Sequence, residues 1–117
     1  MSDYRKLLVW QKAKDLAVGV YRAVSSSAVA KDFGLRDQML RAAVSIPSNV
    51  AEGYARDSAQ DRAHFLTIAR GSCAELETQL FIAVEAKLLA PALAAQLRSD
   101  SEEVSRMLYA LRGRLRE

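Results

Sequence analysis

Apolar residues recur with the period of an α-helix in four successive segments of the chain. In the first segment, one apolar stripe is spaced by three or four residues and comprises Val9, Ala13, Leu16, Val20 and Val24. Trp10, Ala17 and Tyr21 widen this stripe to about 140° at 100° per residue. Because no segment alternates with period two and the connections are short, the pattern predicts an all-α, antiparallel up-down four-helix bundle.

Turn residues between the segments set the expected helix bounds. Ser58, with Asp61 three residues on, has the features of a helix start, and Pro91 suits a first helical turn. The 117 residues are therefore predicted to form one domain, with helices at about 7–26, 34–55, 58–88 and 91–116.

Pro47 lies inside the second predicted helix. It removes one backbone hydrogen bond and presses against the carbonyl of Ala43, at a cost of about 3 kcal/mol. The apolar spacing nevertheless continues from Ile46 to Val50 without a change of phase. We therefore expect Pro47 to bend the helix and not to end it.

A polar pair interrupts the apolar stripe of the fourth helix. Asp100 and Ser101 occupy a slot where the spacing calls for an apolar residue. Either the helix is notched there, or Ser99 and Glu102 form a capping box and the helix restarts.

Phe81 and Ile82 do not fit the predicted core. At 100° per residue they lie about 150° and about 110° from the centre of the apolar stripe of the third helix. A monomeric bundle would expose both, as scattered surface hydrophobes or as part of a subunit interface. The wide apolar face of the first helix favours the interface, which predicts a homo-oligomer.

A polar stripe follows the second helix opposite its apolar face. Its members recur at intervals of three or four and are Arg41, Ser45, Ser48, Asn49, Glu52 and Arg56. This mixture of donors and acceptors suits contact with another subunit or with a phosphate backbone. An ordinary solvated helix face would show the same spacing.

Charge is unevenly distributed along the chain, although the net charge is only +3. Residues 1–56 carry nine Lys or Arg against five acids, residues 57–105 carry four against eight, and residues 106–117 carry four against one. Such segregation permits an anionic partner, whereas solvated faces whose signs cluster are the alternative.

The chain lacks the residue patterns of an enzyme or a metal protein. His64 is the only histidine and no Glu-x-x-His pair occurs, which excludes the di-iron site of helical bundles. Cys73, the only cysteine, follows the core position Ser72 among small residues, so a packed thiol is expected instead of a reactive one. Without a Gly-rich phosphate loop or a nucleophile motif, we expect no catalytic residues, no metal and no cofactor.

The amino-terminal region indicates the cellular compartment in which the protein is expected. Its apolar run, Leu7 to Trp10, is too short for a signal peptide or a membrane span. A single cysteine also suits a reducing compartment. We therefore expect a cytoplasmic protein that does not associate with membranes.

One segment, Arg41 to Tyr54 with the sequence RAAVSIPSNVAEGY, resembles the signature of the four-helix bundle proteins encoded by intervening sequences in bacterial 23S ribosomal RNA genes. Other segments are similar to the same family. They are residues 8–13 at its opening, Gly34, Leu35 and Gln38 before its second helix, and residues 71–72 and 75–80 in its third helix. The resemblance spans residues 4 to about 115.

The resemblance implies a bundle that assembles into a ring, typically a homopentamer. The family includes the accessory variability determinant of diversity-generating retroelements, so the implied partners are RNA or DNA and a reverse transcriptase. A protein-interaction scaffold without nucleic-acid binding is the alternative. The candidate nucleic-acid contacts are the cations near the signature and at the carboxyl terminus, namely Lys12, Arg36, Arg41, Arg56, Arg112, Arg114 and Arg116.

Overall fold

The structure, a computed structural model, describes residues 3–115, which form four α-helices and two short 3₁₀ turns. Helix α1 spans Leu8–Ser25, α2 spans Phe33–Tyr54, α3 spans Ala59–Glu85 and α4 spans Pro91–Arg114, with the 3₁₀ turns at Tyr4–Lys6 and Ala28–Lys31. Both α1 and α3 pack against α2 and α4 in a body of 45 × 21 × 18 Å. The predicted all-α four-helix bundle is confirmed.

The largest difference from the expected bounds is at the end of α3. The helix ends at Glu85, before the predicted residue 88, because Lys87 adopts a φ of 63°. The Leu88 N–H donates to the Ala83 carbonyl at 2.9 Å, and the Lys87 N–H donates to the Val84 carbonyl at 2.9 Å. This pair of bonds is a Schellman closure, here with lysine where glycine is usual.

The helix starts and the core follow the sequence pattern closely. The Ser58 hydroxyl accepts from the Asp61 N–H at 3.0 Å, which confirms the predicted start of α3. The five-residue stripe of α1 is buried together with Ala17, whereas Trp10 is half-buried and packs edge-on against Tyr4. Tyr21 was expected to widen the core stripe, but it is half-exposed because no neighbouring helix covers that edge of α1.

Helix α2 continues through Pro47, as the uninterrupted apolar spacing predicts. Near its end, α2 passes close to α3 at Gly53. A Cβ atom added there would lie 3.0 Å from the Phe65 Cβ and 3.3 Å from the Arg62 carbonyl oxygen. The absence of a side chain at Gly53 therefore permits the close approach of the two helices.

Helix α4 is continuous from Pro91 to Arg114, so the predicted alternative of a restart at Ser99 is wrong. Ser101 takes the core slot without breaking the helix, because its hydroxyl donates to the Glu77 carboxylate of α3 at 2.6 Å. Three side-chain contacts, one hydrogen bond and two contacts between a guanidinium and an aromatic ring, fix an antiparallel register between α3 and α4. The pairs are Phe81 with Arg98, Glu77 with Ser101, and Arg70 with Tyr109.

Candidate nucleic-acid interface

The inner half of the predicted polar stripe, Ser45 and Asn49, is half-buried. The Asn49 amide donates to the carbonyl and the hydroxyl of Ser45, at 2.8 and 2.9 Å. The hydroxyls of Ser45 and Ser72 share a hydrogen bond of 2.7 Å, which joins α2 to α3. The polar stripe was expected to lie opposite the packed face of α2. This expectation is wrong for Ser45, which contacts α3, and for the half-buried Asn49 bonded to it. The Ser45 hydroxyl lies between α2 and α3 because it finds a partner there, whereas Asn49 bonds within α2.

The outer half of the stripe is exposed. Glu52 and Arg56 form an ion pair of 3.1 Å one turn apart, and Ser48 and Arg41 are also exposed. The Arg56 guanidinium lies 4.9 Å from the centroid of the Phe65 ring. The stripe thus divides into a helix-packing part and a surface part.

Besides Arg56, two predicted cations are paired with acids of this chain. Lys12 donates to Glu103 of α4 at 3.1 Å. Arg36 donates to Asp37 at 3.0 Å and lies 4.6 Å from the Phe33 ring centroid. Both pairs are solvent-exposed, so each contributes little to stability, but each reduces the positive charge offered to a ligand.

The predicted cations do not form one patch. Arg36 lies in the first turn of α2 and Arg56 lies two residues beyond its end, so the length of the helix, about 30 Å, separates them. Arg41 lies between them, and Arg116 is outside the described residues. The described members of the set are therefore spread along the bundle and do not form one compact cluster.

Arg62 and Arg114 lie near Tyr54, where the Arg62 side chain also reaches the backbone of Arg56, and we call the region of these three arginines the arginine end. The Arg62 guanidinium lies 4.7 Å from the Tyr54 ring centroid and donates to the Arg56 carbonyl at 3.2 Å. Burial raises the pKa of Tyr54, while the nearby cations Arg62 and Arg114 act in the opposite direction. The three arginines come from the end of α2, the start of α3 and the end of α4, which meet because neighbouring helices are antiparallel.

Two arginines of this half of the bundle were not among the nucleic-acid contacts predicted from the sequence. Arg62 belongs to the arginine end, and Arg70 lies 4.8 Å from the centroid of the Tyr109 ring, a side chain that is 61% exposed. The Nε atoms of both arginines, and that of the predicted Arg112, are buried without a hydrogen-bond partner among residues 3–115. Both residues lie in segment 57–105, whose net charge is negative. Counting charges along the sequence therefore did not single out its individual arginines.

The arginine end also includes acids. Asp57 and Asp61 lie at the connection between α2 and α3, and Glu52 pairs with Arg56. Within residues 3–115, neither Arg62 nor Arg114 has a carboxylate oxygen within 4.0 Å. These two guanidiniums therefore keep their charge available for a ligand.

Phe81 and Ile82 lie where the helical period places them, outside the core. Each is 52% exposed. The Arg98 guanidinium of α4 lies 4.2 Å from the Phe81 ring centroid. The α3 surface thus presents apolar area beside a cation.

Cys73 and His64 occupy different environments, one buried and one exposed. Burial raises the pKa of the Cys73 thiol to about 11, so the neutral, unreactive form dominates. His64 is exposed and packs edge-on against Phe65, with 5.7 Å between the ring centroids. Between residues 3 and 115, no cluster of three or more His, Cys, Asp or Glu side chains could hold a metal ion. In the same range, no helix is long and apolar enough to cross a membrane.

These features define a helical-bundle protein with arginines gathered at one end and apolar side chains exposed on α3. The model of the 23S rRNA-intervening sequence protein family matches residues 5–110, and the chain belongs to this family. The family resemblance seen in the Arg41 to Tyr54 signature is confirmed.

The fold is similar to that of a crystal structure from Bacteroides thetaiotaomicron, a protein of unknown function from the S23 ribosomal protein family. The two chains are 24% identical, and the alignment covers 90% of this chain and 98% of the other, with a TM-score of 0.82. At this identity the similarity establishes a shared fold. No curated protein matches the chain.

Proposed function

We propose that this protein is a non-enzymatic, self-assembling module of the cytoplasm that binds RNA or DNA. The observation that carries the proposal is the arginine end, where the guanidiniums of Arg62 and Arg114 lie near Tyr54 with no carboxylate oxygen within 4.0 Å among residues 3–115. Arginine binds phosphate with paired, charge-assisted hydrogen bonds, and stacking on an aromatic ring limits its motion before binding. The family's name refers to an intervening sequence of 23S rRNA, which supports RNA as the first ligand to test.

Tyr109 adds a second element to this interface. Its exposed ring, with Arg70 against it, combines an aromatic surface with a cation, and unpaired bases stack on such groups. Arg112 lies three residues further along α4, on the same side of that helix. These groups extend the interface from the arginine end along the α3–α4 surface.

Assembly is the second part of the proposal. The exposed Phe81 and Ile82 fit a subunit interface, and a ring, typically of five subunits, is the arrangement that the resemblance implies. A symmetric assembly would repeat each arginine end around an axis. Several weak phosphate contacts would then act on one nucleic-acid chain and strengthen binding by avidity.

A protein-interaction scaffold is the second candidate function. The observation that favours it is the apolar area of Phe81 and Ile82, which a protein partner such as a reverse transcriptase would cover as well as a second subunit would. This alternative predicts binding that depends on the α3 surface and not on the arginine end.

The decisive experiment measures binding to a structured RNA and to a duplex of equal length at several salt concentrations. If about five phosphates are contacted, log K should fall with log salt at a slope of about −4 to −5. Arg62→Ala and Arg114→Ala should each reduce the slope by about one for every contact removed. Arg22→Ala is the matched control, because Arg22 is exposed near the end of α1, at the opposite end of the bundle.

Two results would contradict the nucleic-acid proposal. One is no binding of either ligand below about 100 µM at low salt, the weak limit of non-specific association. The other is an equal effect of Arg22→Ala and Arg62→Ala, which would show that only the overall charge matters. The first result makes the protein scaffold the better account, whereas the second leaves nucleic-acid binding intact and overturns its assignment to the arginine end.

A further inference from the structure

Two outer faces of the bundle carry exposed apolar side chains. Val18 and Tyr21 lie on α1, Phe81 and Ile82 lie on α3, and each is between 41% and 52% exposed. Helices α1 and α3 each pack against α2 and α4, so they occupy diagonal corners of the bundle. Neither apolar pair can therefore cover the other within one subunit.

Charged side chains flank the two apolar pairs, with opposite signs. Lys14 and Arg22 flank the pair on α1, Glu75 and Glu85 flank the pair on α3, and all four are exposed. Lys14 contacts the adjacent Asp15 at 2.9 Å, an exposed pair that contributes little. Within residues 3–115, the other three have no oppositely charged side chain within 4.0 Å. At 100° per residue, the two charges and the apolar pair of each helix span about 100° to 120°, so they form one face. We call these two sets the α1 face and the α3 face.

Helix α4 contacts both α1 and α3 and therefore gives their relative heights along the bundle. A Cβ atom added to Gly19 of α1 would lie 3.2 Å from the Leu97 Cδ2 atom of α4. The guanidinium of the next residue, Arg98, lies 4.2 Å from the centroid of the Phe81 ring of α3. Gly19 and Phe81 are thus at nearly the same height. Because neighbouring helices are antiparallel, α1 and α3 also run in the same direction.

The charges of the two faces occur at matching heights. Arg22 and Lys14 lie three residues after and five residues before the α1 glycine, which is about 4.5 Å above and about 7.5 Å below it. Glu85 and Glu75 lie four residues after and six residues before Phe81, which is about 6 Å above and about 9 Å below it. Each cation of the α1 face is therefore within about 2 Å of the height of an acid of the α3 face. The two apolar pairs lie between these charges.

We infer that the α3 face of one subunit docks against the α1 face of a second copy of this chain, an inference that rests on the self-assembly in the proposed function. With the two helices parallel across the contact, Arg22 meets Glu85 and Lys14 meets Glu75. The apolar pairs pack between these ion pairs. An apolar centre with a charged rim is the usual arrangement of a subunit interface. The contact also covers the edge of α1 on which Tyr21 is half-exposed.

The two faces differ, so this contact is head-to-tail and not two-fold. Each subunit keeps one uncovered face until the array closes on itself, as a ring does. Because the helices are parallel across the contact, every subunit points in the same direction. The arginine ends of all subunits therefore lie on one rim of the assembly, where a single nucleic-acid chain can contact several of them.

The test reverses the charge on each face and measures mass by light scattering over a dilution series. Glu85→Lys and Arg22→Glu should each raise the concentration at which half of the protein is assembled by at least about 10-fold, because like charges then face each other. A chain that carries both changes should regain the assembly of the parent, since the signs are exchanged and attraction returns. Asp57→Lys is the matched control, because this exposed acid lies at the opposite end of the bundle from Glu85.

Two further measurements separate repulsion from other causes. Glu85→Lys places a cation at the carboxyl end of α3, where the helix dipole favours it, so circular dichroism should show undiminished helicity. Arg22→Ala removes one exposed ion pair without creating repulsion, so it should leave the mass of the assembly unchanged.

The outcomes distinguish this inference from the proposed function. If Glu85→Lys changes the mass and Arg22→Glu does not, the α3 face contacts another surface and the inference is wrong. An oligomer that neither reversal weakens, or that the double change fails to restore, would also overturn it. These results leave nucleic-acid binding intact, since the salt dependence measures it separately. A monomeric parent would overturn both the inference and the assembly part of the proposed function.

Discussion

The Ser101 hydroxyl, fully buried within α4, donates its hydrogen to the Glu77 carboxylate of α3 at 2.6 Å. The same oxygen lies 3.4 Å from the Cys73 carbonyl. A serine in an apolar slot is thus matched by an acid on the facing helix. Because the bond forms only when the two helices are in one register, it contributes to the alignment of α3 with α4 as well as to stability.

Ser101→Ala should lower the free energy of unfolding by about 2 kcal/mol, since it leaves the half-buried Glu77 carboxylate without its donor. Urea unfolding followed by circular dichroism measures the change. Ser99→Ala, an exposed position of the same helix, is the control and should have little effect. Equal losses in the two variants would show that the bond to Glu77 is not the cause.

Gly53→Ala should destabilise the bundle by about 1–3 kcal/mol, because the new methyl group would press on Phe65 and on the Arg62 backbone. Gly71→Ala is the matched substitution on α3, where an added Cβ has nothing within 4 Å. It should stabilise the protein by up to about 1 kcal/mol through helix propensity. Thermal unfolding of both variants should therefore show shifts of opposite sign.

The buried Cys73 thiol predicts a specific loss of stability in alkali. Burial raises its pKa from 9.0 to about 11, so the folded state holds the proton more tightly than the unfolded state does. The resulting stabilisation is complete below pH 9 and is lost as the pH rises towards about 11. Over that interval the free energy of unfolding should fall by at most about 1.4 kcal/mol per pH unit from this group.

Cys73→Ala should lower the overall stability but should remove this part of the pH dependence. Urea titrations at several pH values, compared between parent and variant, isolate the thiol from other groups that titrate in alkali, Tyr54 among them. Parallel curves for the two proteins would contradict the assignment.

Light scattering should give a mass that is a multiple of the 12.9 kDa chain, most simply five. Phe81→Asp should weaken this assembly at micromolar concentration while helicity is retained, because the change buries an unpaired charge at the interface and leaves the core intact. Phe33→Asp is the control, since Phe33 is also exposed beside an arginine but lies outside the predicted interface. A monomeric parent would refute the ring.

The sequence predicted the four helices because each buries its own apolar stripe, and a stripe is visible within one helix. Val9 and Val20 of α1, or Ile46 and Val50 of α2, are spaced by the helical period and are all buried. The same reasoning placed Phe81 outside the core. Burial that depends on the geometry of a single helix is therefore predictable from residue spacing.

Polar contacts between helices were not predictable in this way. The partner of Ser45 is Ser72, 27 residues away, and nothing in the spacing of α2 indicates it. For the same reason the slot of Ser101 was recognised as polar while its acceptor, Glu77, was not. The arginine end was only partly predicted because it combines residues from three helices, and Arg62 belongs to a segment whose net charge is negative.

Phe33, Phe81 and Tyr109 are exposed, and each has a guanidinium between 4.2 and 4.8 Å from its ring centroid. This arrangement affects how a newly synthesised subunit associates with other molecules before it binds its partner. An exposed aromatic ring on a monomer promotes non-specific association. A guanidinium stacked on the ring opposes association between two identical surfaces, because it brings like charges together. A partner surface that carries carboxylates or phosphates, whether a nucleic acid or another subunit, can draw the guanidinium of Arg98 or Arg70 aside and cover the ring beneath it.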